Sequence, residues 1–229
     1  MNNLVKKFNK YFFWFKVLFD RKKLSYLYLF NQLTPQYVDA YNWAKNEFSI
    51  PYPQFVKEKI FQKYNLENSI WVETGTHYGR TALYLSKIAK FVYTLEPSKK
   101  IFDEASIILN KFENIKIFNS SSEKGLNEIL KELPSDSNIC FWLDGHYSEG
   151  DTFMGEKVSP IIFELELIEK YYKEFKNFVI LIDDFRLFKN YESENNYPNK
   201  NFLINWTNKN NLEYEVEADI FVIKNKLNI

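Results

Sequence analysis

Cysteine is nearly missing from this sequence, which contains Cys140 and no other cysteine. A single thiol cannot form a disulfide within the chain, so the sequence favours a reducing, cytoplasmic compartment over secretion. Long apolar runs are missing too, because no stretch approaches the roughly 18 to 20 uncharged apolar residues that a membrane span needs. We therefore expect a cytoplasmic protein without a transmembrane helix.

An excess of either charge is also missing, since 30 basic and 30 acidic residues give a formal net charge of zero. A neutral chain offers no global argument for binding nucleic acid, and we expect no nucleic-acid partner. The balance is local, however, because residues 1–30 carry seven basic residues and one acidic residue. The rest of the chain is correspondingly acidic.

That basic N-terminal part has an apolar face. Large apolar residues recur at steps of three and four, the spacing of one helix face: Leu4, Phe8, Tyr11, Phe12, Phe15, Leu18 and Phe19. Such a helix could lie on an anionic membrane surface, at the inner face of the membrane, or it could pack on the protein or on a second copy through residues 4–23. We divide the chain into this arm, residues 1–33, and an α/β domain, residues 34–229.

The stretch from Ile70 to Thr81 organises the domain. A short apolar strand ends at Glu73, Gly75 and Gly79 flank a tight loop, and apolar residues then resume at helical spacing. A glycine loop at a helix N-terminus lets backbone N–H groups approach a ligand closely. The unit is therefore a strand, a ligand-binding loop and a helix.

A second acidic residue strengthens this interpretation. Residues 91–95 read as the next strand, which runs directly into Glu96, 23 residues after Glu73. An acid about 20 residues beyond a glycine loop is placed to bind ribose hydroxyls. Because His77 replaces the middle glycine of a dinucleotide fingerprint, the loop disfavours a pyrophosphate ligand.

Strands and helices alternate along the remaining chain. Apolar or alternating runs predict the later strands, at residues 115–118, 138–143, 178–182, 213–217 and 220–224. Pro160 opens a long helix whose apolar face extends to Phe175, and residues 147–158 and 190–200 read as loops over the site. The alternation predicts a parallel, doubly wound sheet with its ligands at the C-terminal strand ends.

Three carboxylates follow two of these strands. Asp144 ends the fourth strand, and Asp183 with Asp184 ends the fifth. Adjacent strands lie roughly 5 Å apart, so these side chains could share one cation, and hard oxygen ligands suit Mg²⁺. The alternatives are a loop cap at Asp144 and a strand-end turn at the Asp183–Asp184 pair.

The pattern from Glu73 to Gly79, with Glu96 and the strand-end aspartates, resembles the class I S-adenosylmethionine-dependent methyltransferases. Within them it is most similar to the catechol-type and macrocin-type metal-dependent O-methyltransferases, from Ile70 to the C-terminus. The resemblance implies a Rossmann-like three-layer α/β/α sandwich with a mostly parallel seven-stranded sheet. Its last strand would be antiparallel and would lie beside the fifth.

The resemblance also implies roles for site residues. S-adenosylmethionine would contact Gly75, Thr76 and Gly79 through its methionine part, Glu96 through its ribose, and Ser121 or Ser122 through its adenine. Glu73 would hold the amino group of the methionine part or an amide of the loop. These serines could instead cap the following helix. Asp144 would act in catalysis with Mg²⁺, and His146 is our candidate general base because its ordinary pKa lies near neutrality. Catechol-type enzymes place a lysine where this chain has Tyr147, and this difference leaves the identity of the base open. The alternative for His146 is a purely structural hydrogen-bonding role.

These residues together predict a metal-assisted O-methyltransferase acting on a hydroxyl of a small polar molecule, such as a sugar or a secondary metabolite. An iron site in the same fold is disfavoured, because the usual facial triad needs two histidines and this chain holds His77 and His146 on different loops. The other alternative is a non-catalytic membrane-associated or complex subunit that keeps the fold.

Overall fold

The structure is a computed structural model that describes residues 34–145, 159–189 and 197–226. These residues fall into two compact units. One comprises residues 34–49 and 53–55, and the other comprises residues 50–52 and 56–226. The predicted arm, and with it the predicted domain boundary and the membrane or dimer contact through residues 4–23, lies outside the described residues.

The smaller unit is built on helix α1, Thr34–Lys45. Trp43 holds the turn that follows: its ring meets Phe48 edge-on at 5.2 Å, and its indole N–H donates to the Ser49 carbonyl at 2.9 Å. The Phe55 ring also lies edge-on to Trp43, at 6.0 Å. Aromatic packing therefore orders this short segment.

The larger unit is organised by one seven-stranded sheet. Its strands are β1 Ile70–Thr74, β2 Phe91–Leu95, β3 Ile115–Phe118, β4 Asn138–Leu143, β5 Asn177–Ile182, β6 Glu213–Glu217 and β7 Ile220–Lys224. The strand order is β3-β2-β1-β4-β5-β7-β6. The strands from β1 to β5 pair in parallel, and β7 runs antiparallel to both β5 and β6. The predicted fold, with an antiparallel last strand beside the fifth, is confirmed.

In the larger unit, a helix precedes the first strand, and further helices lie between strands along the chain. They are α2 Gln54–Tyr64, α3 Arg80–Leu85, α4 Lys99–Leu109, α5 Ser122–Glu132, α6 Ile161–Ile168 and α7 Lys200–Lys209. The predicted long helix after Pro160 is shorter than expected, since α6 ends at Ile168 and a 3₁₀ turn follows at Tyr172–Glu174. Tyr172 and Phe175 are nevertheless buried in the core. The apolar spacing therefore predicts correctly that these residues are buried, although the helix itself ends before them.

The three central strands form the core. Every residue of β1 is buried, and β4 and β5 are buried except at their first residues. The Phe61 ring of α2 packs edge-on to Trp71 at 5.7 Å and to Trp142 at 4.7 Å. Because both faces of these strands are covered, their C-terminal ends form a rigid edge for a site. In the part of the chain that the structure describes, no helix has the length and hydropathy needed to cross a membrane.

Candidate functional site

A tight glycine loop follows β1, at the C-terminal ends of the central strands. Gly75 and Gly79 have φ values of +88° and +79°, which favour glycine. A Cβ atom on Gly75 would lie 2.4 Å from the carbonyl oxygen of Asp144. The Gly75 and Thr76 N–H groups both donate to the Leu95 carbonyl at 3.0 Å. The loop is thus held against the ends of β2 and β4.

Glu73, at the end of β1, is completely buried. The Thr94 hydroxyl donates to Glu73 Oε2 at 2.5 Å, and Oε1 has no hydrogen-bond partner among the described residues. The pKa of Glu73 is raised to about 8, chiefly by burial and also by the nearby charges of Asp144 and Glu96, while the Thr94 hydrogen bond opposes the rise. Glu73 therefore offers one unsatisfied oxygen beside the loop, suited to a cationic ligand group.

Thr94 extends this contact to the loop. Its hydroxyl lies 2.5 Å from the hydroxyl of Thr76, and both side chains are buried. Sequence reasoning singled out Thr76 but missed Thr94, which sits inside the apolar strand β2. A polar residue within an otherwise apolar strand is the signal that could have identified it.

Glu96, at the end of β2, is 4% exposed. Its Oε2 accepts from the His77 N–H at 2.7 Å, and its Oε1 accepts from the Ser98 N–H at 2.9 Å. Burial raises the pKa of Glu96, and these two hydrogen bonds oppose the rise. Each carboxylate oxygen keeps a lone pair, so Glu96 can still accept from two neighbouring hydroxyls. His77 has a φ of +49° and an exposed side chain, and its contribution here is its backbone N–H.

The two predicted adenine contacts lie at the start of α5. Ser121 is the N-cap residue, but its side chain makes no capping hydrogen bond. Ser122 is buried beside Glu164 of α6, whose carboxyl is 1% exposed. Burial raises the pKa of Glu164 to about 7, and the Ser122 and Thr74 hydroxyls oppose the rise. Glu164 is a buried acid that sequence reasoning missed, because acidic residues on amphipathic helices usually face solvent.

The predicted metal edge contains a lysine that was not anticipated. Lys57 of α2 forms an ion pair with Asp183 Oδ2, and the side chains are 16% and 3% exposed. Burial lowers the pKa of Lys57, but the charges of Asp183, Asp144 and Asp184 outweigh burial and raise it overall. Burial and the Asp144 charge raise the pKa of Asp183, and Lys57 opposes that rise. The Asp183 carboxylate is therefore already neutralised by a protein cation.

Asp184 is turned to another partner. It has a φ of +55°, and its carboxylate pairs with Arg186, which also pairs with Asp219. Within residues 34–145, 159–189 and 197–226, no group of three or more acidic, histidine or cysteine side chains is arranged to hold a metal ion. The Mg²⁺ site that we predicted at Asp144, Asp183 and Asp184 is therefore not supported, because Lys57 pairs with Asp183 and Arg186 pairs with Asp184.

Tyr197 is a further neighbour of this edge. It is 6% exposed, and its ring meets Phe188 edge-on at 5.3 Å. Burial raises the pKa of Tyr197, as do the charges of Asp184 and Asp144. The predicted base His146 and the predicted loop at 147–158 lie outside the described residues, so their roles stay predictions.

Comparisons with known proteins give partial matches. No protein-family model matches the chain. A curated relative from Methanococcus vannielii, named "Probable ribosomal RNA small subunit methyltransferase A", is 34% identical over 86 aligned residues, and the match covers 35% of this chain and 32% of the relative. A relative of the same name from Methanococcus maripaludis is 35% identical over 86 residues, with the same coverage. The chain thus spans about a third of the length of these curated relatives.

Solved structures resemble the chain more widely but at low identity. A "putative rRNA-methylase" from Clostridium thermocellum has a TM-score of 0.52 and 10% identity, and the match covers 77% of this chain and 97% of that chain. A "putative methyltransferase" from Streptococcus mutans, solved in complex with SAH, has a TM-score of 0.48 and 14% identity over 77% and 98% of the two chains. The sheet order and the match to the Clostridium thermocellum structure therefore show the fold of the class I S-adenosylmethionine-dependent methyltransferases.

These findings correct two sequence-based predictions. The relatives are named as ribosomal RNA methyltransferases, so the prediction of a small-molecule acceptor without nucleic acid is wrong. The expectation of no nucleic-acid partner rested on the net charge. Net charge is a sum over the whole chain and does not describe the charge of any one surface. The metal-dependent O-methyltransferase subtype is also unsupported, because the described carboxylates do not form its metal site.

Proposed function

We propose that this protein transfers a methyl group from S-adenosylmethionine to RNA. One observation carries the assignment of the cofactor: Glu73 and Glu96, two buried acids at the ends of neighbouring parallel strands, flank a glycine loop. The buried Glu73 Oε1 has no hydrogen-bond partner among the described residues, which is costly unless a ligand satisfies it, and Glu96 keeps lone pairs for further donors. A ligand with a cationic amine and a ribose provides a partner for each.

The cofactor side is assigned residue by residue. Glu73 Oε1 accepts a hydrogen bond from the amino group of the methionine part, and the Gly75–Gly79 loop follows its backbone. The free lone pairs of Glu96 accept from the two ribose hydroxyls. Ser122, at the start of α5, lies on the adenine side. Bound S-adenosylmethionine supplies a methyl group on a positively charged sulfur.

The acceptor side is the edge formed by Asp144, Asp183 and Lys57. Methyl transfer is an in-line displacement, so these residues mainly have to align the nucleophile with the methyl carbon. Asp183 Oδ1 is buried and has no hydrogen-bond partner among the described residues, while Lys57 holds Oδ2. A carboxylate oxygen in this position can accept a hydrogen bond from the N–H or O–H of an acceptor base or sugar.

RNA is proposed as the acceptor because the curated relatives are named as ribosomal RNA methyltransferases. The acidic edge suits an uncharged base or sugar hydroxyl better than a phosphate, since a phosphate would be repelled. Methylation of an oxygen atom, the reaction predicted from the sequence, stays a prediction. Digestion of the methylated RNA to nucleosides, followed by mass spectrometry, would identify the methylated atom.

Cofactor binding is tested by isothermal titration calorimetry with S-adenosylmethionine and S-adenosylhomocysteine. We expect wild type to bind both, and Glu96→Ala to lose binding by at least tenfold, about 1.4 kcal/mol, because two charge-assisted hydrogen bonds disappear. Glu128→Ala, which removes an exposed carboxylate on α5, is the matched control and should bind like wild type. A Glu96→Ala variant that binds normally would remove the ribose assignment.

The class of acceptor is tested by measuring the transfer of a radiolabelled methyl group from S-adenosylmethionine to unmodified RNA. Ribosomal RNA transcribed in vitro is one such substrate. Label in RNA that disappears with Glu96→Ala supports the proposal. If wild type binds the cofactor but labels no RNA, the acceptor assignment fails and the cofactor assignment stands. If wild type binds no cofactor, both fail, and the non-catalytic alternative is favoured.

A further inference from the structure

A buried hydrogen-bonded chain links the end of β1 to the glycine loop. It runs from Thr76 in the loop through Thr94, the next-to-last residue of β2, to Glu73, with oxygen–oxygen distances of 2.5 Å at both steps. Thr94 is fully buried. A threonine costs free energy there unless its hydroxyl is bonded, so its two contacts explain why it is tolerated inside the sheet.

The donors and acceptors of these two hydrogen bonds follow from the ionised form of Glu73. An ionised Glu73 accepts hydrogen bonds and donates none, so the Thr94 hydroxyl gives its one hydrogen to Oε2. The Thr94 oxygen can then only accept from Thr76. Ionisation of Glu73 therefore orients both hydroxyls, and the Thr76 side chain on the loop becomes part of the same arrangement.

We infer that Thr94 is a positioning residue for the cofactor: it engages one oxygen of Glu73 so that the other is presented to a cationic amine, and it ties the loop to that carboxylate through Thr76. The inference rests on the proposed function. Thr94 itself touches no ligand group in this assignment. Its effect reaches the cofactor through Glu73 and the loop.

The groups around Glu73 make this role measurable. The charges facing it are Asp144, after β4, and Glu96, at the end of β2, and both are acidic. Burial and these two acids disfavour the ionised form, whereas the Thr94 hydrogen bond favours it. Removing the hydroxyl therefore makes Glu73 harder to ionise, and the cofactor amine needs the ionised form.

The test compares Thr94→Val, which keeps the shape and loses the hydroxyl, with Thr94→Ser, which keeps the hydroxyl. The affinity for S-adenosylhomocysteine is measured by calorimetry from pH 6 to pH 9. In wild type and Thr94→Ser we expect affinity to rise with pH as Glu73 ionises. In Thr94→Val we expect about tenfold weaker binding at pH 7 and a rise displaced to higher pH. The ligand's own titration is the same for every variant, so it does not contribute to the difference.

Glu73→Gln provides the second comparison. With no carboxyl to ionise, binding should be weak without the rise seen in wild type, and adding Thr94→Val should not displace its pH profile. A Thr94→Val protein with the wild-type profile, or one weakened equally at every pH, would overturn the inference while leaving the proposed function intact. Absence of binding to wild type would instead overturn the proposed function. If circular dichroism shows that Thr94→Val is unfolded, the Thr76→Val variant is measured instead. An unchanged affinity of Thr76→Val for S-adenosylhomocysteine would then contradict the proposed coupling of the loop to Glu73.

Discussion

Gly75 and Gly79 allow a matched comparison, because both have positive φ but different surroundings. Replacing either by alanine forces a Cβ into the left-handed region, which costs roughly 1–2 kcal/mol. A Cβ on Gly79 would meet the Leu109 side chain at 3.0 Å, a contact that is relieved when this side chain shifts by a few tenths of an ångström. A Cβ on Gly75 would meet the Asp144 carbonyl oxygen at 2.4 Å, which is main chain. Only the Gly75 variant must move the backbone.

The size of the difference follows from this geometry. Relieving the Gly75 contact means separating the loop from the end of β4, where the Asp144 N–H donates to the Thr74 carbonyl at 3.1 Å. Losing that hydrogen bond costs roughly 1 kcal/mol, and overpacking of this kind costs about 1–3 kcal/mol more. We therefore expect Gly79→Ala to lose about 1–2 kcal/mol and Gly75→Ala about 3–6 kcal/mol of unfolding free energy.

Urea unfolding followed by tryptophan fluorescence measures both values, and thermal unfolding checks them. At about 2–4 °C per kcal/mol for a chain of this size, the Tm should fall further for Gly75→Ala by several degrees. Cofactor affinity should also fall more for Gly75→Ala, because the displaced backbone belongs to the loop and to Asp144. Equal losses in the two variants would refute the reasoning, since they would mean that the close backbone approach at Gly75 does not exist.

Three further predictions concern buried groups. Burial raises the pKa of Glu164 to about 7, so between pH 4.5 and 7 the folded state holds a proton that the unfolded state has lost, and stability falls as pH rises. In urea unfolding between pH 4.5 and pH 8, Glu164→Gln should abolish up to about 3 kcal/mol of this decrease in the free energy of unfolding. An unchanged dependence of the unfolding free energy on pH would contradict the raised pKa of Glu164. Lys57→Met should cost about 3–5 kcal/mol because Asp183 loses its cation, and adding Asp183→Asn should recover part of the loss, whereas additive losses would argue against the pair. The Cys140 thiol, buried and with its pKa raised to about 12, should react with a thiol reagent only after unfolding, and rapid labelling of the native protein would contradict its burial.

Sequence patterns predicted the sheet well because each strand carries its own signal. The apolar runs at β1, β4 and β5 end at polar residues, and the observed strands follow them closely. The helix after Pro160 was predicted too long because Tyr172 and Phe175 continue the apolar spacing. Periodicity reports which residues are buried, and a 3₁₀ turn can bury them as well as a helix can.

The site was predicted unevenly for a related reason. Glu73, Gly75 and Glu96 lie next to their strands in the chain, so local spacing identifies them. Thr94 and Lys57 act through partners that are distant in sequence: Lys57 lies 126 residues before Asp183. Sequence spacing identified the carboxylates at the edge but not their cationic partners, and those partners leave the predicted metal site unsupported.

By itself, the sequence determined the strand-loop-helix unit at Ile70–Thr81, the order of strands and helices, and the acids at the strand ends, because each depends on neighbours within a few residues. The tertiary structure alone decided the state of those acids. It brought Lys57 to Asp183, Arg186 and Asp219 to Asp184, and Thr94 to Glu73. Burial and charge pairing depend on segments far apart in the chain, and these two effects set how a carboxylate binds, titrates and reacts.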